Sequence, residues 1–167
     1  MEKALETIKI MLTKRNYIID IENDNYIIGK HQNNYILIFK DIIQKCNVEN
    51  MKQKIIILNK LNIHHCIIIY IHSITAMVNK IIDNSLDIKF ELFLQDELQY
   101  DITEHTFVPP HIKLQHQEAL EIKQKYGTKL PTILKTDPVV RFYNFEKGDI
   151  IQINRLNDNH IIYRIVK

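Results

Sequence analysis

Several features that mark whole classes of protein are scarce or missing from this chain of 167 residues. It has only three glycines, and we find no glycine-rich phosphate loop, GxSxG elbow or HExxH motif. No apolar run approaches the roughly 18–20 residues that span a bilayer, so we expect no membrane partner, and we see no signal peptide. The two cysteines, Cys46 and Cys66, form no CxxC motif or disulfide framework. We therefore expect reduced thiols in an intracellular protein.

Charge is also nearly balanced, and this limits the function classes that composition can support. The net charge of +2 is too small to indicate nucleic-acid binding by itself. The hydrophobic fraction of 46% and the charged fraction of 25% are typical of a globular chain with its own core. Isoleucine, asparagine and lysine are plentiful, which suggests an AT-rich genome more than a special function.

The N-terminal part combines helical and strand patterns. Apolar residues at helical spacing predict a helix over Glu2–Lys14, and β-rich runs follow at residues 17–21, 26–28 and 35–39, with turns at 22–25 and 29–34. The runs Ile55–Leu58 and Ile67–Ile71 predict central strands buried on both faces. We expect a short helix between Ile71 and Leu86, and then an alternating strand to Leu94 with one largely polar face.

The amino-acid composition changes near residue 98: all four prolines lie beyond it. We predict a helix over Gln115–Tyr126 that Gly127 ends, and a short helix over Pro138–Tyr143 with Asp137 as its N-cap. After a turn at Lys147-Gly148, the chain is expected to form two strands, Asp149–Arg155 and His160–Val166, joined by "LNDN". The prediction is an α+β protein with two domains, 1–98 with a mixed sheet and 99–167 with a small mixed β-sheet and short helices.

The segment "TEHTFVPPHIKL" at 103–114 raises the question of a metal site. Zinc needs three or four converging ligands, but Pro109 and Pro110 hold the backbone between His105 and His111 extended. The nearby Glu104 and His116 add no standard spacing. We therefore expect no metal and no stoichiometric zinc, and the "HHC" at 64–66 is interpreted as a turn or strand end.

Catalysis is equally unsupported by the sequence. A metal-dependent nuclease needs an Asp on one strand and a Glu-x-Lys pair on the next to hold Mg²⁺. Here Asn59-Lys60 follows the run Ile55–Leu58 without the glutamate, and Asp41 has no acidic partner at usable spacing. We predict no catalytic residues and no cofactor, which favours a structural or binding role.

The C-terminal residues do resemble one family, the fifth-largest shared subunit of eukaryotic nuclear RNA polymerases. The family pattern is T-x-H-x-x-V-P-x-H, L-P-x-I, D-P-V, a K/R-G-[DE]-[VI]-[VI] strand and a terminal Y-R. The matching residues here are Thr103, His105, Val108, Pro109, His111, Leu130, Pro131, Ile133, Asp137, Pro138, Val139, Lys147, Gly148, Asp149, Ile150, Ile151, Tyr163 and Arg164. The corresponding small subunit of archaeal RNA polymerase is similar to this C-terminal part alone.

The N-terminal part resembles the family's jaw domain more weakly. "IKIMLTKRNYII" is similar to the opening helix and strand, and "IIIYIHSIT" to the strand and loop that end the jaw. The domain is shorter than usual between residues 22 and 54, and Ala76 follows Thr75 where the family has proline. The short jaw domain and the AT-biased composition favour a large cytoplasmic DNA virus, with the chain in virions and host cytoplasm; a cellular protein would be nuclear.

The resemblance implies a non-catalytic subunit of DNA-directed RNA polymerase. The C-terminal domain would dock on the largest subunit within the polymerase core, and the N-terminal domain would form the lower jaw near downstream duplex DNA, with Thr75 and Lys80 as DNA contacts. The implied interface residues are Thr103, His105, Val108, Pro109, His111, Pro131, Asp137, Pro138, Arg141, Gly148, Tyr163 and Arg164. For the prolines and the glycine, local turn chemistry alone remains an alternative. For Arg141 and Arg164, the alternative is a cation that is solvated or that stabilises the hairpin. Two other functions stay open: a free-standing DNA-binding transcription factor and a degenerate nuclease-like domain.

Overall fold

The computed structural model describes residues 2–127, 129–155 and 160–167. The chain divides into two compact units, Met1–Tyr100 and Asp101–Lys167, which we call the first and the second unit. Each unit contains helices and a mixed sheet, so the fold is α+β, as the sequence predicted. No helix among the described residues is long and apolar enough to cross a membrane.

The first unit is built around one central strand. Its helices are α1 (Glu2–Lys14), α2 (Val48–Leu61) and α3 (Ala76–Asn84), and its strands are β1 (Ile18–Glu22), β2 (Tyr26–His31), β3 (Asn34–Phe39), β4 (Ile43–Cys46), β5 (His65–Ile74) and β6 (Lys89–Leu94). Strands β1, β2 and β3 form an antiparallel meander. Strand β5 pairs in parallel with β3, β4 and β6, so the prediction of a buried central strand over Ile67–Ile71 is confirmed.

The prediction of a second buried strand, over Ile55–Leu58, is wrong. These residues lie in the helix α2, which a capping box begins: Asn50 N donates to Asn47 Oδ1 over 2.9 Å, and Asn47 N donates to Asn50 Oδ1. The helix buries Met51, Lys54 and Leu58, which share one helical face. Parallel strands need a crossover, usually a helix, and α2 supplies it between β4 and β5.

Gly29 lies in the strand β2, where it allows neighbouring residues to pack closely. It does not form the turn that the sequence predicted for residues 29–34. Strand β2 continues to His31, and the chain reverses at Gln32, whose φ is +53°. A Cβ on Gly29 would lie 3.1 Å from Ile36 Cγ2 and 3.3 Å from Tyr17 Cβ. A side chain there would require Ile36 or Tyr17 to shift by a few tenths of an ångström.

Strand β1 is an irregular edge of this sheet. It pairs with β2 in a register that shifts between Ile19 and Ile21, so Asp20 lies in a bulge. All five of its residues are exposed, including Ile18, which is 77% exposed.

The central sheet of the first unit has one face buried by α2 and α3. Alternate residues of β3 and β5, such as Leu37, Cys66 and Ile68, join Leu58 and Val78 in one apolar cluster. Both cysteines of the chain are free and buried in this cluster, and burial raises the pKa of each thiol.

A buried charge network lies on the opposite face of the same sheet. Glu91 in β6 accepts two hydrogen bonds of 2.8 Å from the Arg15 guanidinium, just beyond α1, and its Oε1 lies 2.7 Å from His65 Nε2. The side chains of Arg15 and Glu91 are 4% and 11% exposed. Burial alone would raise the pKa of Glu91, but the His65 hydrogen bond and the Arg15 charge lower the pKa to about 2. The largely polar face that we predicted for β6 is therefore covered, and it anchors the end of α1 to the sheet.

The second unit is a smaller mixed sheet with two helices. Its elements are β7 (His111–Lys113), α4 (His116–Tyr126), β8 (Thr132–Ile133), α5 (Pro138–Tyr143), β9 (Ile150–Asn154) and β10 (Ile161–Val166). The strand order is β7-β9-β10-β8, with β8 parallel to β10 and the other pairs antiparallel. The predicted strand pair at the C-terminus and both predicted helices are present, whereas β7 and β8 were not predicted. The "LNDN" connection lies outside the described residues.

Candidate functional site

The segment "TEHTFVPPHIKL" forms a braced turn that leads into β7. Asp101 Oδ1 accepts hydrogen bonds from the backbone N and the hydroxyl of Thr103, at 2.9 and 2.6 Å. The chain then reverses, because Val108 N donates to the His105 carbonyl over 2.8 Å. This bend precedes the prolines, so the backbone between the two histidines is less extended than the sequence suggested.

Both histidines of this segment are engaged locally. His105 Nδ1 accepts a hydrogen bond from Phe107 N, and the two rings lie 5.7 Å apart. His111 Nδ1 lies 2.6 Å from the Pro109 carbonyl oxygen, and His111 pairs with Ile153 of β9. Among the described residues no group of three or more His, Cys, Asp and Glu side chains could hold a metal ion. Local hydrogen bonds therefore hold both histidines within this segment, and the absence of zinc stays a prediction.

The "LPTILKTDPVVR" segment pairs with the last strand and then begins α5. The Pro131 carbonyl accepts a hydrogen bond from Ile165 N over 2.9 Å, at the start of β8. Asp137 caps α5, since its Oδ1 accepts from Val139 N at 2.9 Å and from Val140 N at 3.3 Å. Pro138 is exposed at the first helical position, where a missing N–H costs nothing.

We expect Asp137→Ala to destabilise the second unit by about 1 kcal/mol, because two backbone N–H groups of α5 would lose their acceptor. Asp137→Asn should keep most of the stability, since the amide oxygen can accept the same bonds. Thermal unfolding of both variants checks this. If Asn cost as much as Ala, the cap would not be the role of Asp137.

The remaining C-terminal residues that match the family pattern make local contacts around the sheet of the second unit. Gly148 has a φ of +93° and its N donates to the Val166 carbonyl over 2.9 Å, and that conformation favours glycine. Arg164 Nη1 donates to the Thr132 carbonyl over 3.2 Å and so ties β10 to β8. Tyr163 packs its ring 5.9 Å from Tyr126 of α4. Each of these residues therefore has a local structural role, and any role at an interface would be additional to it.

The second unit also exposes apolar side chains that the sequence analysis did not single out. Phe107 is 89% exposed at the tip of the braced turn, and Leu134 is 61% exposed just beyond β8. Ile112 and Ile161, on the strands β7 and β10, are each about half exposed. The signal that could have identified Phe107 was its position, because it is an aromatic residue two positions before a Pro-Pro pair.

The two DNA-contact candidates lie at α3 of the first unit and differ sharply in exposure. Thr75 is the N-cap residue of α3, and its hydroxyl oxygen is buried without a hydrogen-bond partner among the described residues. Lys80 is exposed on the second turn of the helix. Lys80, and not the Thr75 hydroxyl, is therefore accessible at the surface of α3.

Comparisons with known proteins agree with these features. The family model for RNA polymerase Rpb5, C-terminal domain, matches residues 100–166. The DNA-directed RNA polymerases I, II, and III subunit rpabc1 of Dictyostelium discoideum is 30% identical over 139 residues, which cover 78% of this chain and 71% of that protein. A protein of Invertebrate iridescent virus 6, provisionally named as DNA-directed RNA polymerase subunit 454R, is 36% identical over 107 residues, 57% of each chain. The RPABC1 subunit of Caenorhabditis elegans is 37% identical over 82 residues, only 39% of its length.

The Dictyostelium match extends beyond the second unit into the first, because it covers more than three quarters of the chain. The motif residues recognised in the sequence fall inside the matched family model. The chain belongs to the Rpb5 family of DNA-directed RNA polymerase subunits.

Proposed function

We propose that the chain is a non-catalytic subunit of a multisubunit DNA-directed RNA polymerase, where it acts in transcription. In this proposal the second unit docks on the largest subunit of the polymerase core. The interface is formed around the braced turn at Thr103–His111 and includes the residues that the family resemblance indicated, together with Phe107 and Leu134.

One observation carries this proposal: the family match, residues 100–166, has almost the same bounds as the second unit. That unit is small, and it leaves Phe107 almost fully exposed. Exposed aromatic anchors are typical of protein–protein interfaces. The Pro109-Pro110 backbone adds little entropic cost on binding, because proline is already restricted.

The experiment is affinity purification of the tagged full chain, followed by mass spectrometry of the proteins that accompany it. The two largest subunits of an RNA polymerase are expected in stoichiometric amounts. A fragment starting near Gln99 should still capture the largest subunit, whereas one ending at Leu98 should not. Capture by the N-terminal fragment alone would contradict the docking assignment.

The first unit is proposed as the lower jaw beside downstream duplex DNA, with Lys80 as the phosphate contact. Such a contact positions the duplex and reads no sequence. Thr75 serves in this proposal as the N-cap residue that begins α3, since its hydroxyl is buried.

We expect Lys80→Ala to shorten the lifetime of an elongation complex modestly and equally on all sequences, because one phosphate contact is lost. The measurement compares templates with and without downstream duplex, and Lys52→Ala, an exposed lysine of α2, is the control. If Lys80→Ala changed the lifetime equally on both templates, or on neither, α3 would not touch downstream DNA.

The proposed location is the virion and the host cytoplasm, as for a large cytoplasmic DNA virus. The similarity to an iridescent-virus protein supports this, and fractionation of infected cells tests it. A nuclear signal would favour a cellular polymerase. Tight DNA binding by the isolated chain would instead support a free-standing transcription factor, and DNA cleavage would support a nuclease.

A further inference from the structure

A cavity of about 450 Å³ opens in the first unit between the helix α2 and the strands β2 and β3. Its apolar wall includes Tyr26, Ile57 and Leu61, and the amides of Asn25 and Gln53 also line it. This volume is within the range that holds a small molecule or a few side chains of a peptide. Neither the jaw role nor the docking role of the second unit uses this cavity.

The cavity also contains a buried lysine whose counter-ion is exposed. Lys54 Nζ donates to both oxygens of Asp41, at 2.6 and 2.7 Å, and lies 4.0 Å from the centre of the Phe39 ring. The Lys54 side chain is 5% exposed, whereas the Asp41 side chain is 59% exposed. A buried ammonium without a negative partner is destabilising, so the Lys54 site favours a carboxylate or another anion.

The two members of this ion pair are not equally fixed. Lys54 projects from the middle of α2 and is only 4% exposed. Asp41 follows β3 on the open side, where water can solvate its carboxylate when it moves away. An external carboxylate in the place of Asp41 would keep the Lys54 charge paired, while water would solvate the displaced Asp41 carboxylate.

The lining favours a peptide over a nucleic acid. Nucleic-acid sites need several cations, since phosphate neutralisation supplies most of their affinity. Of the described residues that line this cavity, Lys60 is the one cation besides Lys54. The Asn25 and Gln53 amides match the donors and acceptors of a peptide backbone, and Ile57 and Leu61 match apolar side chains.

We propose that this cavity binds an acidic segment of a partner protein, whose glutamate or aspartate carboxylate replaces Asp41 on Lys54. Apolar residues beside that carboxylate contact Ile57 and Leu61, and Lys60 adds attraction at the opening. The proposal is independent of the polymerase assignment, because it rests on the cavity alone.

The test uses the full chain and two synthetic peptides, acetyl-Leu-Glu-Leu-amide and its Gln counterpart. The binding is followed by NMR through the Lys54 Nζ signal and the backbone amides of α2. The Glu peptide is expected to shift these signals saturably, and the Gln peptide to bind on the order of tenfold more weakly, because it carries no charge.

Three variants refine the result. Asp41→Asn removes the competing carboxylate and should tighten binding of the Glu peptide by about tenfold. Lys60→Gln should weaken it by about threefold, a loss typical of one exposed charge pair. Lys52→Gln is the matched control, because Lys52 is an exposed lysine of the same helix that does not line the cavity, and it should leave the affinity unchanged.

Equal shifts with both peptides, or no saturable shift, would overturn the proposal. Shifts caused by a single-stranded oligonucleotide at the same concentration, with none from the Glu peptide, would assign the cavity to nucleic acid and overturn it as well. Should Asp41→Asn fail to fold, the two peptides on the wild-type chain and on Lys60→Gln still decide the outcome.

Discussion

Replacement of Glu91 by alanine is expected to lower the free energy of unfolding of the first unit by about 3–5 kcal/mol, the range for removing one member of a buried ion pair. Arg15, almost fully buried, would lose the carboxylate to which it donates two hydrogen bonds. His65 would lose its acceptor at the same time. Urea unfolding followed by NMR signals of the first unit measures the loss, because the two units need not unfold together.

The control for this variant is Glu22→Gln in the same unit. Glu22 forms ion pairs of 2.9 Å with Lys9 and with Lys40. Its carboxylate is at the surface, where water can replace a lost partner. We expect a much smaller change from it. A loss as large for Glu22→Gln as for Glu91→Ala would show that burial is not what makes the network important.

The low pKa of Glu91 also gives the network a pH dependence with a defined sign. The pKa is about 2 in the folded chain against a usual 4.5, so the ionised carboxylate stabilises the fold at higher pH. This contribution is fully present above about pH 4.5 and is lost as the pH falls towards 2. The stability difference between the wild-type chain and Glu91→Gln should therefore shrink across that interval.

Replacement of Phe107 by serine is expected to weaken binding to the largest polymerase subunit by roughly 30-fold, which corresponds to about 2 kcal/mol and is typical of an interface anchor. The stability of the chain should change by less than about 0.5 kcal/mol, since the side chain is almost fully exposed in the free protein. Binding of purified variants to the immobilised subunit measures the effect.

Leu86→Ser is the matched control for Phe107→Ser. Leu86 is 95% exposed, as open to water as Phe107, but it lies in the first unit. We expect this change to leave the affinity intact. Equal losses from both variants would mean that general hydrophobicity, and not the second unit, drives the association.

The sequence predicted best where local chemistry alone determines the backbone. Asp137 followed by Pro138 begins α5 because the carboxylate and the fixed φ act within a few residues. Strand β5 was recognised from its continuous run of isoleucines bounded by polar residues. The motif residues from Thr103 to Arg164 were recognisable because turns, helix caps and prolines require particular residue types at particular positions.

The failures occur where residues outside the local pattern decide the outcome. The run Ile55–Leu58 looked like a strand because β-branched residues are common there, but the Asn47–Asn50 capping box and the burial of Met51 and Leu58 favour a helix. Glu91 looked like part of a polar face, and its partners lie 76 and 26 residues away. No periodicity in the sequence could have paired them. The exposure of Phe107 likewise depends on how the whole second unit packs.

The bulged strand β1 has a consequence for how the protein behaves at high concentration. Three exposed isoleucines, Ile18, Ile19 and Ile21, lie on an edge strand, and such an edge can template the growth of aggregates between molecules. The bulge at Asp20 interrupts the straight row of backbone donors and acceptors, and it places a negative charge in the middle of the apolar run. A second molecule cannot add a regular strand without burying that charge, so the irregularity opposes strand-to-strand association between copies of the chain.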